Sequence, residues 1–347
     1  MKKVLKISIF LFLSAVVLGL ALFFGIKYYN EQQAQKKEQE QTFDRKPLDE
    51  ASIFGDYVFE QVIREKIQNK DEPIDIESLA EITELDLSFN GKSTDEDKKI
   101  ISLSGLKYFK GLKKLTIDRN MCSSFTGIEE CVDLEYLSAQ DCRFFNATQI
   151  SLLTNLKYLN LRNNEIRSTE FIKTLKNLEY LNLSGCNITD FAFLSEVKMN
   201  SIKELYIAST GFNQMEWIYL LPNIERLDVS GNELNDELLA GIEILTKLEY
   251  LKASSQNIKS TAVFKDCKNL KTLILDVNRI TDISDLSSLK NLEELNVNSN
   301  LIEKVDVLSD MKNLKRIYAK NNQIKSFTAI SDIKFEKEDF SENPAKR

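Results

Sequence analysis

From residue 82 onward the hydrophobic positions of this chain fall into one recurrent phrase. LKYLNLRNNEI starts at Leu156, LKTLILDVNRI at Leu270 and LEELNVNSNLI at Leu292. Each fits L-x-x-L-x-L-x-x-N-x-I, and the register sets further starts at Ile82, Leu112, Leu134, Leu178, Ile202, Ile224, Leu248 and Leu314. Most intervals are 22 residues; those from Leu178 and Ile224 are 24, and the first is 30, lengthened by the charged stretch GKSTDEDKK at 91–99. Positions 4 and 6 alternate with outward residues, which predicts a short strand with one buried face. The second half of each unit places apolar residues every three positions, as at Ile280, Ile283, Leu286 and Leu289, which suits a short helix or 3₁₀ turn on the outer side. No unit can bury its own core, so eleven stacked units imply a solenoid in which successive strands form one parallel sheet.

Position 9 calls for a side chain that bonds exposed backbone at the turn. It is Asn90, Asn120, Asn164, Asn232, Asn278, Asn300 and Asn322 in seven units, and Cys142, Cys186, Thr210 and Gln256 in the others. A solenoid also needs covers over its end units. Residues 51–81 read as a helical N-cap, with Phe54, Val58, Val62 and Ile63 at helical spacing and a break at Asp71–Pro73. Phe335, Glu338, Phe340 and Asn343 keep the strand spacing, so 335–347 reads as a closing half-unit and C-terminal cap.

The phrase matches the leucine-rich-repeat signature. TDISDLSSLKNLEELNVNSNLI (281–302), together with FEQVIREKIQ and IESLAEITELDLS within 59–88, resembles the 22-residue class of bacterial leucine-rich repeats, the internalin family of Gram-positive surface proteins. The likeness covers roughly residues 51–343. It implies a curved solenoid whose concave parallel sheet binds a protein partner. It does not carry over host invasion, because the chain has no LPxTG sorting motif and no module after the repeats.

The first fifty residues add a tether. Residues 7–26 (ISIFLFLSAVVLGLALFFGI) form an uncharged apolar run about as long as a hydrocarbon core is thick. The competing reading is a secretory signal peptide, which would end in small residues. This run ends in Phe23, Phe24, Gly25 and Ile26, so an uncleaved signal-anchor is expected. Lys2, Lys3 and Lys6 favour a cytoplasmic 1–6 and a repeat domain outside the cell, single-pass in the membrane. Residues 27–50 read as a polar stalk. The expected organisation is thus an N-terminal tail (1–6), a transmembrane segment (7–26), a stalk (27–50), an N-cap (51–81), eleven repeats (82–334) and a C-cap (335–347), α/β in class.

Composition narrows the chemistry. The chain has no histidine, which removes the commonest general base and metal ligand, and neither GxGxxG nor GxxxxGK[ST] occurs. No cofactor and no enzymatic activity are expected. Residues 1–30 hold four lysines and no acid, so the net charge of −7 becomes −11 for the remainder, which disfavours nucleic acid. The five cysteines all fall in inward slots: Cys142 and Cys186 at position 9, Cys122 at position 11, Cys131 and Cys267 at position 20. They are expected to be free, buried, apolar thiols.

The outward positions 3, 5 and 7 carry the candidate site. Tyr136, Tyr158, Tyr180 and Tyr250 stand at position 3 and Tyr206 at position 5, with Asn160, Arg162 and Asn182 beside them. Tyrosine supplies apolar area and a hydroxyl at binding hot spots, although it also favours strands for its packing alone. The sequence therefore predicts a membrane-anchored surface protein that binds a protein partner through the concave face around Tyr136–Tyr206. A scaffold bound to the cell's own wall or membrane components is the alternative. Nothing in the sequence sets an oligomeric state.

Overall fold

A computed structural model describes residues 53–69, 72–92, 94–189, 199–213 and 219–347. The expected transmembrane segment 7–26 and stalk 27–50 lie outside them. Among the described residues no helix is long and apolar enough to cross a membrane.

The repeats build one sheet. Twelve three-residue strands among the described residues, from β1 (Glu84–Asp86) to β12 (Lys337–Asp339), pair in parallel and in chain order. Eleven come from the repeats and the twelfth from the closing half-unit. The register never slips: position 4 of each unit faces position 4 of the next, as in Leu295 beside Leu273 and Ile317. That alignment lets identical slots stack into one continuous core. In the ninth unit Leu270, Leu273, Leu275, Ile280, Ile283, Leu286 and Leu289 are all at most 1% exposed. Fully burying each such side chain favours folding by about 1.5–3 kcal/mol. The outer side is 3₁₀ where expected, as at Ser284–Ser288.

The position-9 side chains form the ladder that their slot requires. The Asn164 amide donates to the carbonyls of Ala139 (2.7 Å) and Leu161 (2.8 Å), and its oxygen accepts from the Phe144 amide (3.1 Å). Asn120, Asn232, Asn278, Asn300, Asn322 and Asn343 repeat this pattern. At Cys142 and Cys186 a single thiol reaches back to a carbonyl of the preceding strand segment, Ile117 (3.2 Å) and Leu161 (3.2 Å). Asn90 stands outside this ladder: it is exposed and, among the described residues, its side chain reaches only the Ser88 carbonyl, because no repeat precedes it.

Three further features accompany this ladder. Position 8 is left-handed, with φ of 53–63° at Arg119, Asp141, Asn163, Ser209, Ser255, Val277, Ser299 and Asn321, which turns the chain sharply after each strand. A second ladder runs at position 22, where the amides of Asn155, Asn177, Asn223, Asn269, Asn291 and Asn313 each donate to a carbonyl of the preceding repeat. Along position 2, charges alternate as Lys113, Glu135, Lys157, Glu179, Lys203, Glu225, then Glu249, Lys271, Glu293, Lys315, Glu336. Lys157–Glu135 and Lys203–Glu179 meet at 2.6 Å, and Lys271–Glu249 and Lys315–Glu293 at 2.8 Å.

The N-terminal cover comprises α1 (Tyr57–Lys66) and a single turn, α2 (Ile76–Leu79). Phe54, Phe59, Ile63 and Leu79 are its fully buried apolar residues, while Val58 and Val62 are only partly buried. Phe59 and Ile63 lie four apart on the face that meets the stack, and Phe59 packs on Phe109 at 6.1 Å. Asp56, 3% exposed, accepts from the Phe59 amide at the helix start and from the Ile101 (2.8 Å) and Ser102 (3.1 Å) amides of the first repeat. One carboxyl therefore starts the helix and fastens it to the solenoid.

Candidate functional site

The strict register dictates the outward face. Position 3 of β3 (Tyr136–Ser138), β4 (Tyr158–Asn160) and β5 (Tyr180–Asn182) places Tyr136, Tyr158 and Tyr180 directly side by side. Parallel strands lie about 4.8 Å apart, so three rings at one position must stack. Tyr136 and Tyr158 have centroids 4.1 Å apart at 7°, and Tyr158 and Tyr180 are 4.1 Å apart at 12°.

The next unit breaks the column. At position 3 β6 (Glu204–Tyr206) carries Glu204, and its tyrosine stands at position 5 opposite Asn182. Tyr206 therefore reaches Tyr180 diagonally, at 5.3 Å and tilted by 38°. Its hydroxyl donates to Glu204 (2.8 Å) and accepts from Arg226 Nε (3.2 Å) at the start of β7 (Arg226–Asp228). Arg226 lies 4.1 Å over the ring of Tyr250, which opens β8 (Tyr250–Lys252). Tyr250 is thus not in the stack; a guanidinium separates it from Tyr206. At the opposite end Lys114, in β2 (Lys114–Thr116), sits 5.4 Å over Tyr136. The aromatic column runs between two cations, Lys114 and Arg226. Reading position 3 across the repeats, rather than picking out tyrosines, reveals both.

The tyrosines are half-buried, so the stack shields ring faces and presents edges and hydroxyls. Burial and the neighbouring phenols push the Tyr158 hydroxyl well above its usual range, and burial pushes Tyr206 up to about 12. Both are neutral donors at physiological pH.

The polar neighbours divide. Asn160 and Asn182 are buried: their oxygens accept from the Arg162 (3.2 Å) and Ser184 (2.9 Å) amides, and their NH₂ groups point to Gln140 (3.3 Å) and the Tyr180 hydroxyl (3.5 Å). They shape the strand ends. Arg162 is exposed beside them.

All five cysteines are free and buried. Burial raises their thiols, to about 12 at Cys131, Cys142 and Cys267 and about 11 at Cys186. Among the described residues no cluster of His, Cys, Asp or Glu could hold a metal ion.

Family models for leucine-rich repeats match residues 154–196, 268–310 and 290–334, and a further one matches 221–237. Curated proteins give no sequence match. Among solved structures, an internalin (InlF) from Listeria monocytogenes is similar at 21% identity and a TM-score of 0.58, over 83% of this chain and 96% of that one. The functional domain of InlJ from the same organism, which includes a cysteine ladder, is 20% identical with a TM-score of 0.67. The match covers 83% of this chain but spans only 60% of InlJ's. The Arabidopsis receptor kinase HAESA, solved with the peptide hormone IDA and the co-receptor SERK1, matches at 19% identity and a TM-score of 0.52, over 70% and 46% of the two chains. The matched segments are leucine-rich repeats, and the fold is similar to that of the internalin solenoids.

Proposed function

We propose that this chain is a bacterial surface-binding protein, tethered through residues 7–26, whose outward sheet face engages a protein partner at the column Tyr136–Tyr158–Tyr180–Tyr206. The column carries the reading. Three half-buried rings stacked in register, with a fourth leaning on them, form a rigid amphipathic surface that loses little side-chain freedom on docking. Such a surface on the sheet agrees with protein-binding relatives of this fold, among them HAESA with its bound peptide hormone and co-receptor. The reading is one of binding rather than catalysis: the only thiols are buried and raised, and the chain has no histidine to activate a nucleophile.

The test uses photo-crosslinking on intact cells. A benzophenone amino acid at Tyr158 is compared with the same group at Lys325, away from the column. A partner crosslinked from Tyr158 only, and lost when Tyr180→Glu is added to the chain carrying that group with unchanged unfolding, supports the proposal. Equal crosslinking from both positions refutes it. Carbonate-resistant sedimentation with membranes, lost on deleting 7–26, tests the tether. Protease access to the repeats from outside intact cells tests the orientation.

A further inference from the structure

The outward face of the eleven repeats carries six cations at positions 3, 5 and 7: Lys114, Arg162, Arg226, Lys252, Arg316 and Lys320. Five meet a carboxylate. Lys114 lies 3.9 Å from Glu84, Arg226 3.6 Å from Glu204, Lys252 3.7 Å from Asp228, Arg316 2.9 Å from Glu294 and Lys320 3.0 Å from Glu342. Among the described residues, Arg162 alone of the six has no acid partner. Its repeat sits in the middle of the tyrosine column, and no other charge stands at the outward positions of units three to five, which hold Tyr136, Ser138, Gln140, Tyr158, Asn160, Tyr180, Asn182 and Ser184.

The nearest outward acids are occupied. Asp118 accepts from the Ser138 hydroxyl (2.7 Å) and from the amide (3.1 Å) and side chain (2.9 Å) of Gln140. Glu204 holds the Tyr206 hydroxyl and Arg226. The neutral amides are also engaged, since Gln140 accepts from Asn160. The face therefore offers one planar, forked donor with nothing to bind, framed by neutral phenols and capped amides. A guanidinium in that setting selects a carboxylate, which it can hold through two parallel hydrogen bonds.

We infer that the partner inserts an acidic side chain, Asp or Glu on an exposed peptide segment, against Arg162, with flanking apolar residues packed along Tyr136, Tyr158 and Tyr180. This rests on the binding reading of the column. Charge complementarity fixes where the segment docks, and the stacked rings supply the apolar contact.

The test pans a random dodecapeptide phage library on the full-length chain and measures the enriched peptides, made synthetically, against variants. Enriched peptides are expected to share an Asp or Glu. Arg162→Gln should weaken them about tenfold or more, and Arg162→Lys should recover only part of that. Replacing the peptide acid by its amide should cost the same, with little further loss on Arg162→Gln, as a double-mutant cycle requires. Among the described residues Arg162 has no side-chain partner, so the variants should unfold as the parent does. Peptides weakened by Tyr158→Ala but indifferent to Arg162→Gln overturn the carboxylate seat and leave the binding column standing. Peptides indifferent to both overturn the column and the seat together. Equal weakening by Lys325→Gln would mark general charge attraction and also overturn the seat.

Discussion

Asn232 gives the sharpest quantitative test of how the repeats are held together. Its side chain is 3% exposed and makes four hydrogen bonds to backbone: donated to Ile207 O (2.7 Å) and Val229 O (2.8 Å), accepted from Thr210 N (2.9 Å) and Phe212 N (3.2 Å). In Asn232→Ala the four losses are not equal. Ile207 O keeps the Thr210 hydroxyl at 2.8 Å, and Val229 O keeps the Gln256 amide. The amides of Thr210 and Phe212 both lose the Asn232 oxygen. An unsatisfied buried donor costs about 1–3 kcal/mol, so the loss at Thr210 alone should destabilise by about 2 kcal/mol. The same change at Asn90, exposed and outside the ladder, should cost less than about 0.5 kcal/mol. Urea unfolding followed by circular dichroism measures both. Because each repeat leans only on its neighbours, Asn232→Ala should also broaden or split the transition near the sixth unit. Equal costs at the two sites, or a loss below 1 kcal/mol at Asn232, would refute the ladder argument.

Asp56→Ala removes the acceptor of three amides at once and should lower stability by about 3–4 kcal/mol, with hydrogen exchange in Tyr57–Lys66 rising first. The five thiols should resist an aromatic disulfide reagent at pH 8 in the folded chain and all react in guanidinium, because burial hides them and raises their pKa values. Tyrosine ionisation followed in the ultraviolet should show Tyr206 titrating near pH 12, above free phenol. A raised folded pKa means that stability from this group is complete below about pH 10 and falls as pH rises through about 12, so the unfolding midpoint should drop across that window. Normal titration of every tyrosine near pH 10 would contradict the stacked, half-buried column.

The solenoid was legible because its signal is periodic. Eleven units in register leave one way to bury Leu273, Leu295 and Ile317 together, and the same register put all five cysteines inside. The left-handed position 8 was hidden because it accepts Arg119, Ser209 and Val277 alike, with glycine in only some units. The position-22 asparagines were hidden among polar turn residues, where hydrogen bonding to the preceding repeat leaves no hydrophobic trace. At the site, sequence gathered the tyrosines but grouped Tyr250 with them. Only the structure shows that Arg226 stands between, and that Asn160 and Asn182 lie buried among their neighbours on the outward face, accepting from backbone amides at the strand ends. The unpaired state of Arg162 depends on which neighbours reach it, and spacing alone does not encode that.

The alternating charges of position 2 give the array a parity. Each Lys lies between two Glu from Lys157 to Lys203, and again at Lys271 and Lys315, so removing one such unit would bring like charges side by side, whereas removing two in succession would preserve the alternation. Glu225 and Glu249 form the one seam where neighbours already share a sign. Deleting the unit that carries Glu249 would seat Glu225 beside Lys271 and heal the row. This solenoid can therefore change length by pairs almost anywhere along the row, but inside the row by a single unit at that seam alone without setting like charges against each other.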